Sequence, residues 1–185
     1  MQWQTTGSLT AHPALEHPEL LATRVTHALE RLAAEWAQQI GVAAIDPALA
    51  DTAEFCARYG VNPQASANCV VIKGKRGGDV RFAACMVLAT TRADVNGVVR
   101  RRLDARTASF APMDEAVALS AMEYGGITPV GLPDDWPILI DAAVVDAGEV
   151  VIGSGIRGSK LFLPGSVLSV LPNAEVIEGL ARPLE

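Results

Sequence analysis

Histidine, cysteine and aromatic residues are all scarce in this chain of 185 residues, and each shortage excludes something. The three histidines, His12, His17 and His27, lie near the N-terminus. The rest of the chain therefore has no Ser-His-Asp or Cys-His machinery and little means of holding zinc. The three cysteines, Cys56, Cys69 and Cys85, show no CxxC spacing and sit in apolar or helical patterns. They read as buried free thiols in a reducing cytosol, not as a disulfide framework or a metal site. Aromatics make up 5% of residues, so Val, Ala and Leu must fill the core. Residues 1–10 are polar and lack the basic and apolar regions of a signal peptide. The longest apolar run, residues 138–145, is interrupted by Asp141 and is too short to span a membrane. A cytoplasmic protein is expected.

What is present is a chain that can fold. Half of its residues are hydrophobic and 19% are charged, which excludes a disordered chain. The length suits one domain, with residues 1–17 expected as a flexible N-terminal tail and 18–185 as the domain. The net charge of −6 argues against wholesale coating of nucleic acid. Its distribution is uneven. Residues 1–60 carry 3 basic and 7 acidic side chains, residues 61–110 carry 9 and 3, and residues 111–185 carry 3 and 11. The basic middle third is either an unevenly charged solvated surface or a patch that meets phosphates.

Leu21, Val25, Leu29, Leu32 and Trp36 recur at helical spacing and predict an amphipathic helix over 18–39, ended by Gly41. Short strands are expected at 42–45, 69–72, 138–141, 150–152, 161–163 and 175–177, and a longer one at 80–90 after a basic, Gly-rich turn. Helices are expected from Asp51 to Tyr59, from Asp94 to Leu103 and from Pro112 to Met122. Strands interleaved with short helices make a mixed α/β fold.

The segment Tyr124 to Pro133 holds too much Gly and Pro for a periodic element and predicts a shaped loop. Consecutive glycines let backbone approach a ligand, and Pro129 stiffens the exit. Free N–H groups at Ile127 or Thr128 would hold an ester carbonyl oxygen without any side-chain base. A tight connection between a helix and a strand is the plainer alternative.

Three features in order resemble the YbaK family of prolyl-tRNA-synthetase-associated editing domains. They are the loop Gly125-Gly126-Ile127-Thr128-Pro129, the strand-ending Asp141, and the turn Gly153-Ser154-Gly155 with Arg157-Gly158. The resemblance covers two-thirds to three-quarters of the chain. It implies a mixed, partly barrel-like β-sheet surrounded by short helices, and hydrolysis of the ester of mischarged tRNA by backbone amides and the substrate's own hydroxyl. It implies no cofactor and no metal. Gly125, Gly126, Ile127, Thr128, Pro129 and Asp141 would be catalytic. Asn68, Lys73, Gly153, Ser154 and Gly155 would bind substrate, and Lys75, Arg76, Arg100 and Arg101 would bind tRNA. The partner would be a tRNA acceptor end, with an aminoacyl-tRNA synthetase as a further one, and the protein a monomer or homodimer. Asp141 would order a water or a substrate amine, or else cap backbone N–H groups. Gly153 and Gly155 would line a pocket or form a plain turn.

The chain departs from the family at Asn68, where many members carry a lysine thought to contact the substrate. Asn forms hydrogen bonds but carries no charge. Lys73 and Lys75 lie just beyond the same strand. Two other readings therefore use the same fold: a binding module for an aminoacyl-adenosine end or another small ligand, and a regulatory partner of a synthetase.

Overall fold

Nearly unbroken apolar runs mark the central strands, and the computed structural model, which describes residues 3–184, gives the reason: both main sheets are covered on both faces. Eleven strands occur among the described residues: β1 (His12–Pro13), β2 (Gly41–Ala44), β3 (Ala67–Arg76), β4 (Asp79–Leu88), β5 (Thr91–Ala93), β6 (Thr107–Phe110), β7 (Ile138–Asp141), β8 (Glu149–Gly153), β9 (Ser159–Pro164), β10 (Ala174–Ile177) and β11 (Ala181–Pro183). The helices are short: α1 (Thr23–Arg31), α2 (Ala34–Ala37), α3 (Thr52–Tyr59), α4 (Arg100–Arg102, continuing a wide π-helical turn at Val95–Val99), α5 (Met113–Ser120), α6 (Ala142–Asp146) and α7 (Gly165–Leu168).

The strands form a four-stranded sheet of order β1-β2-β9-β8, a five-stranded sheet of order β10-β7-β4-β3-β6, and the pair β11-β5. The expected mixed α/β architecture is present; the sheets stay separate and none closes into a barrel. In the five-stranded sheet β7 runs parallel to both β4 and β10, while β3 pairs antiparallel with β4 and β6.

Alternation along each strand sorts side chains between layers. On β9, Leu161 and Leu163 enter the central layer between the two sheets, whereas Phe162 enters an outer layer with Phe55 of α3. On β4, Ala84 and Met86 face the central layer, and Ala83 and Cys85 face the other outer layer beneath Val99 and Leu103. A single bridge between Ser66 and Val151 links the two sheets.

The predicted hairpin extends further than the apolar run. β3 continues through Lys75 and Arg76 because Gly77, in the left-handed region at φ +61°, turns the chain within two residues. α3 starts after Asp51 and is closed by left-handed Gly60, as the sequence predicts. The expected helix over 18–39 is instead divided into a 3-10 turn at Pro18–Leu20, α1 and α2. Tertiary contacts override the periodicity. The Ala22 N–H donates to the Ser154 carbonyl at 3.2 Å, and Gly131 passes so close to α1 that a Cβ there would lie 2.5 Å from the Arg24 carbonyl oxygen. Val25 and Leu29 still point into the core. Among the described residues no helix is long and apolar enough to cross a membrane.

Residues 3–17 lie along the four-stranded sheet. The Trp3 ring is buried where a Cβ on Gly41 would sit, and its Nε1–H donates to the Gln39 carbonyl at 2.9 Å. The Gln4 and Thr5 N–H groups donate to the Glu149 carboxylate, and the Ser8 N–H to the Tyr59 carbonyl. Trp3→Ala should therefore cost about 3 kcal/mol of stability by removing a buried ring. Urea denaturation measures it, and an unchanged midpoint would show that this segment contributes nothing to the fold.

Candidate functional site

The Gly-rich loop lies flat on the turn between β8 and β9, and glycine is required on both sides of the contact. A Cβ on Gly126 would meet the Ile156 backbone at 2.5 Å, and one on Gly153 would lie 2.4 Å from the Gly126 carbonyl oxygen. The Gly155 N–H donates to that same Gly126 carbonyl at 2.7 Å, and Gly155 itself is left-handed at φ +88°. Among the described residues the Gly126 N–H is taken by the Glu123 carbonyl, while the Ile127 and Thr128 N–H groups donate to no protein acceptor.

Beside this contact, next to the bridge that links the sheets, a cavity of about 500 Å³ opens. Gly125, Ile127 and Gly153 line one side, and Asn68, Cys69 and Val71 of β3 another. The start of α3, with Asp51 and Thr52, borders it, and Lys160 of β9 lies in its wall. Phe110, Met113 and Tyr124 stand at its rim, 61%, 57% and 58% exposed, so the mouth is apolar and open to solvent.

Polar groups in the cavity are few and placed. Thr52 Oγ1 donates to Asn68 Oδ1 at 2.7 Å, which fixes the amide and leaves its NH₂ free of described acceptors. Arg157 ties the rim together. It reaches Asp51 Oδ1 at 3.4 Å and the carbonyls of Pro47 and Tyr124. Lys160 is almost fully buried, donates from Nζ to the Ala50 carbonyl at 2.8 Å and stands 5.2 Å from the centre of the Phe55 ring. Burial lowers its pKa from 10.5 to about 8, aided by nearby Arg157 and opposed by Asp51 and Cys56. Burial pushes the Cys69 thiol far up, so it is no thiolate at neutral pH.

Four of the residues singled out from the sequence meet in this cavity: Asn68, Gly125, Ile127 and Gly153. Gly126 and Gly155 lie behind them and shape the loop. Thr128 is wholly buried, with its Oγ1 unpaired among the described residues, and Pro129 borders a second cleft beneath α1 and α2. The buried Ser154 hydroxyl sits 2.6 Å from that of Ser159, pinning the turn from inside. Asp141 does not line the cavity. One carboxylate oxygen accepts from the Ala143 N–H at 3.0 Å to cap α6, and the other accepts from the Ala181 N–H at 2.8 Å.

Lys73 is turned away and held by Glu115, with Nζ 2.5 Å from Oε2, and it also faces the Phe82 ring. Lys75 and Arg76 lie at the far end of β3, about 23 to 26 Å along the strand from Asn68. Arg76 pairs with Asp104 there, and Arg100 and Arg101 project from α4.

Lys160, Thr52 and the aromatic rim were not singled out from the sequence. A signal for Lys160 existed. It is the one charged residue in a strand that is otherwise almost entirely buried, but reading that strand as 161–163 leaves it outside.

The architecture and the loop define an α/β editing-type fold. The family model described as the aminoacyl-tRNA editing domain matches residues 46–169, and the chain belongs to that family. No curated protein sequence matches it. Among solved structures it is similar to a candidate trans-editing enzyme for prolyl-tRNA synthetase, with 22% identity, TM-score 0.69, and coverage of 85% of this chain and 94% of that one. A hypothetical protein is similar at 20% identity and TM-score 0.63, over 72% of this chain and 85% of that one. A candidate signal-transduction protein of Marinobacter aquaeolei shares the fold at 17% identity and TM-score 0.55, over 87% of this chain but 31% of that one.

A lowered lysine pKa has a consequence for stability. The unfolded chain binds the Lys160 proton up to about pH 10.5, the folded one only up to about 8. The charge therefore penalises folding fully below pH 8, and the penalty fades as pH rises from about 8 to 10.5. Relative to Lys160→Met, the native protein should gain stability over that range, read as the difference between their urea midpoints at pH 7 and pH 9.5. A pH-independent difference would refute the buried charge.

Proposed function

We propose that the protein hydrolyses the ester of misacylated tRNA in trans, releasing the amino acid from the terminal adenosine. The observation that carries this reading is the N–H of Ile127, which has no acceptor among the described residues and belongs to a residue lining a glycine-walled cavity. Membership of the editing family supports it. The cavity volume falls within the roughly 300–1,000 Å³ usual for small-ligand sites.

Water is the nucleophile, assisted by the free hydroxyl of the terminal ribose, and the cavity's one thiol, Cys69, is held protonated by burial. The Ile127 N–H takes the carbonyl oxygen, and the Asn68 amide donates to the ribose or its phosphate. Phe110 and Tyr124 give the terminal adenine a stacking surface at the mouth. Lys75, Arg76, Arg100 and Arg101 sit too far from the cavity for the adenosine and meet the tRNA body instead. The neutral Asn68 favours a second reading, a binding module without turnover.

The test is deacylation of a panel of misacylated tRNAs. The wild type should release the amino acid from one or a few of them. Phe110→Ala and Tyr124→Ala, both at exposed positions, should each raise KM about five- to a hundredfold through a lost stacking contact. Binding of the panel with no release above the uncatalysed rate would exclude the hydrolase and leave the binding module.

A further inference from the structure

Lys160 is a buried cation that no carboxylate among the described residues contacts directly. Among the described residues it makes no ion pair; its ammonium has one carbonyl partner, Ala50, and one aromatic neighbour, Phe55. The nearby Asp51 carboxylate is engaged by Arg157, the Arg157 guanidinium repels it, and Cys56 is a protonated thiol. An isolated buried charge is costly, and such a group lining a cavity marks a place where a ligand provides the missing partner.

Register shows where that ligand would lie. Lys160 pairs directly with Gly153 across β8 and β9, so the two share one face of the sheet. Gly153 has no side chain, and the carbonyl oxygens of Gly126 and Ile127 pack where its Cβ would be. Lys160 and Ile127 both line the cavity, the lysine from β9 and Ile127 from the loop whose N–H has no acceptor among the described residues, while Lys73 of β3 is locked to Glu115.

We propose that Lys160 binds the carbonyl oxygen of the scissile ester opposite the Ile127 N–H, and stabilises the negative charge that develops there. This assignment rests on the deacylase reading. Water oxygen bonds to the acyl carbon, and the carbonyl π electrons move onto the oxygen held by Lys160 and Ile127. Those electrons return as the acyl–oxygen bond to ribose breaks, and the departing ribose oxygen takes the proton that water gives up. The products are the free amino acid and the tRNA hydroxyl. Lys160 keeps its own proton throughout and acts as a fixed charge. The cation absent at Asn68 on β3 is in this way supplied from β9, on the opposing sheet.

The experiment compares wild type, Lys160→Met and Lys160→Arg on the tRNA that the wild type deacylates, with uncatalysed hydrolysis subtracted. Lys160→Met should lower kcat about 10²- to 10³-fold, the effect of deleting one oxyanion donor, while leaving KM within a few-fold. Wild-type kcat should fall as pH rises through about 8, where the ammonium is lost, and Lys160→Arg should not show that fall. Circular dichroism and urea midpoints establish that the variants are folded. If Lys160→Met does not fold, the wild-type and arginine pH profiles decide the matter alone. A folded Lys160→Met with wild-type kcat, or a wild-type kcat flat through pH 9.5, overturns the role of Lys160 and leaves the deacylase intact. A wild type inactive on every tRNA removes the deacylase and this assignment together.

Discussion

The close contact between the loop at Gly125–Ile127 and the β8–β9 turn is the constraint on which the site depends. Glycines on both sides bring two backbones within hydrogen-bonding distance, and the 2.7 Å bond from Gly155 to Gly126 locks them. Two consequences follow from that one approach. The Gly126 carbonyl is consumed, while the Ile127 and Thr128 N–H groups keep no acceptor among the described residues. Gly153 leaves to the Gly126 and Ile127 carbonyls the space that its side chain would fill, and the loop can close one wall of the cavity there. A side chain at Gly126 or Gly153 must lift the loop, because the atoms it would strike are backbone and have no rotamer to change.

Much of the fold was legible because the strands are short, apolar and bounded by Gly or Pro. β7 falls where the sequence predicts it, and α3 runs between an Asp and a Gly that mark its ends. The loop was legible because no periodic element tolerates its glycines and prolines. What failed to show was long-range. Nothing local in residues 18–39 says that Ala22 will bond to Ser154 or that Gly131 will press on α1, and those contacts sit at the start of α1. Asp141 has the composition of a site residue, but both of its oxygens are spent on backbone N–H groups. Lys73 is near Asn68 in sequence, yet it pairs with a carboxylate 42 residues away.

Lys160 illustrates a conflict between levels of structure. Its strand is patterned for burial and its neighbours Leu161, Phe162 and Leu163 obey that pattern. A lysine at the α3-facing position breaks it, at an energetic cost visible in its lowered pKa. Places where a sequence violates its own patterning without a structural partner are where function is best sought.

Cys69 has a different significance. Its thiol forms part of the cavity wall yet stays protonated, as does its neighbour Cys85, whose pKa burial raises to about 12. Peroxides and alkylating agents attack thiolates. A protonated thiol in the cavity wall is a poor target for them, so Cys69 contributes packing surface to the site and not a nucleophile.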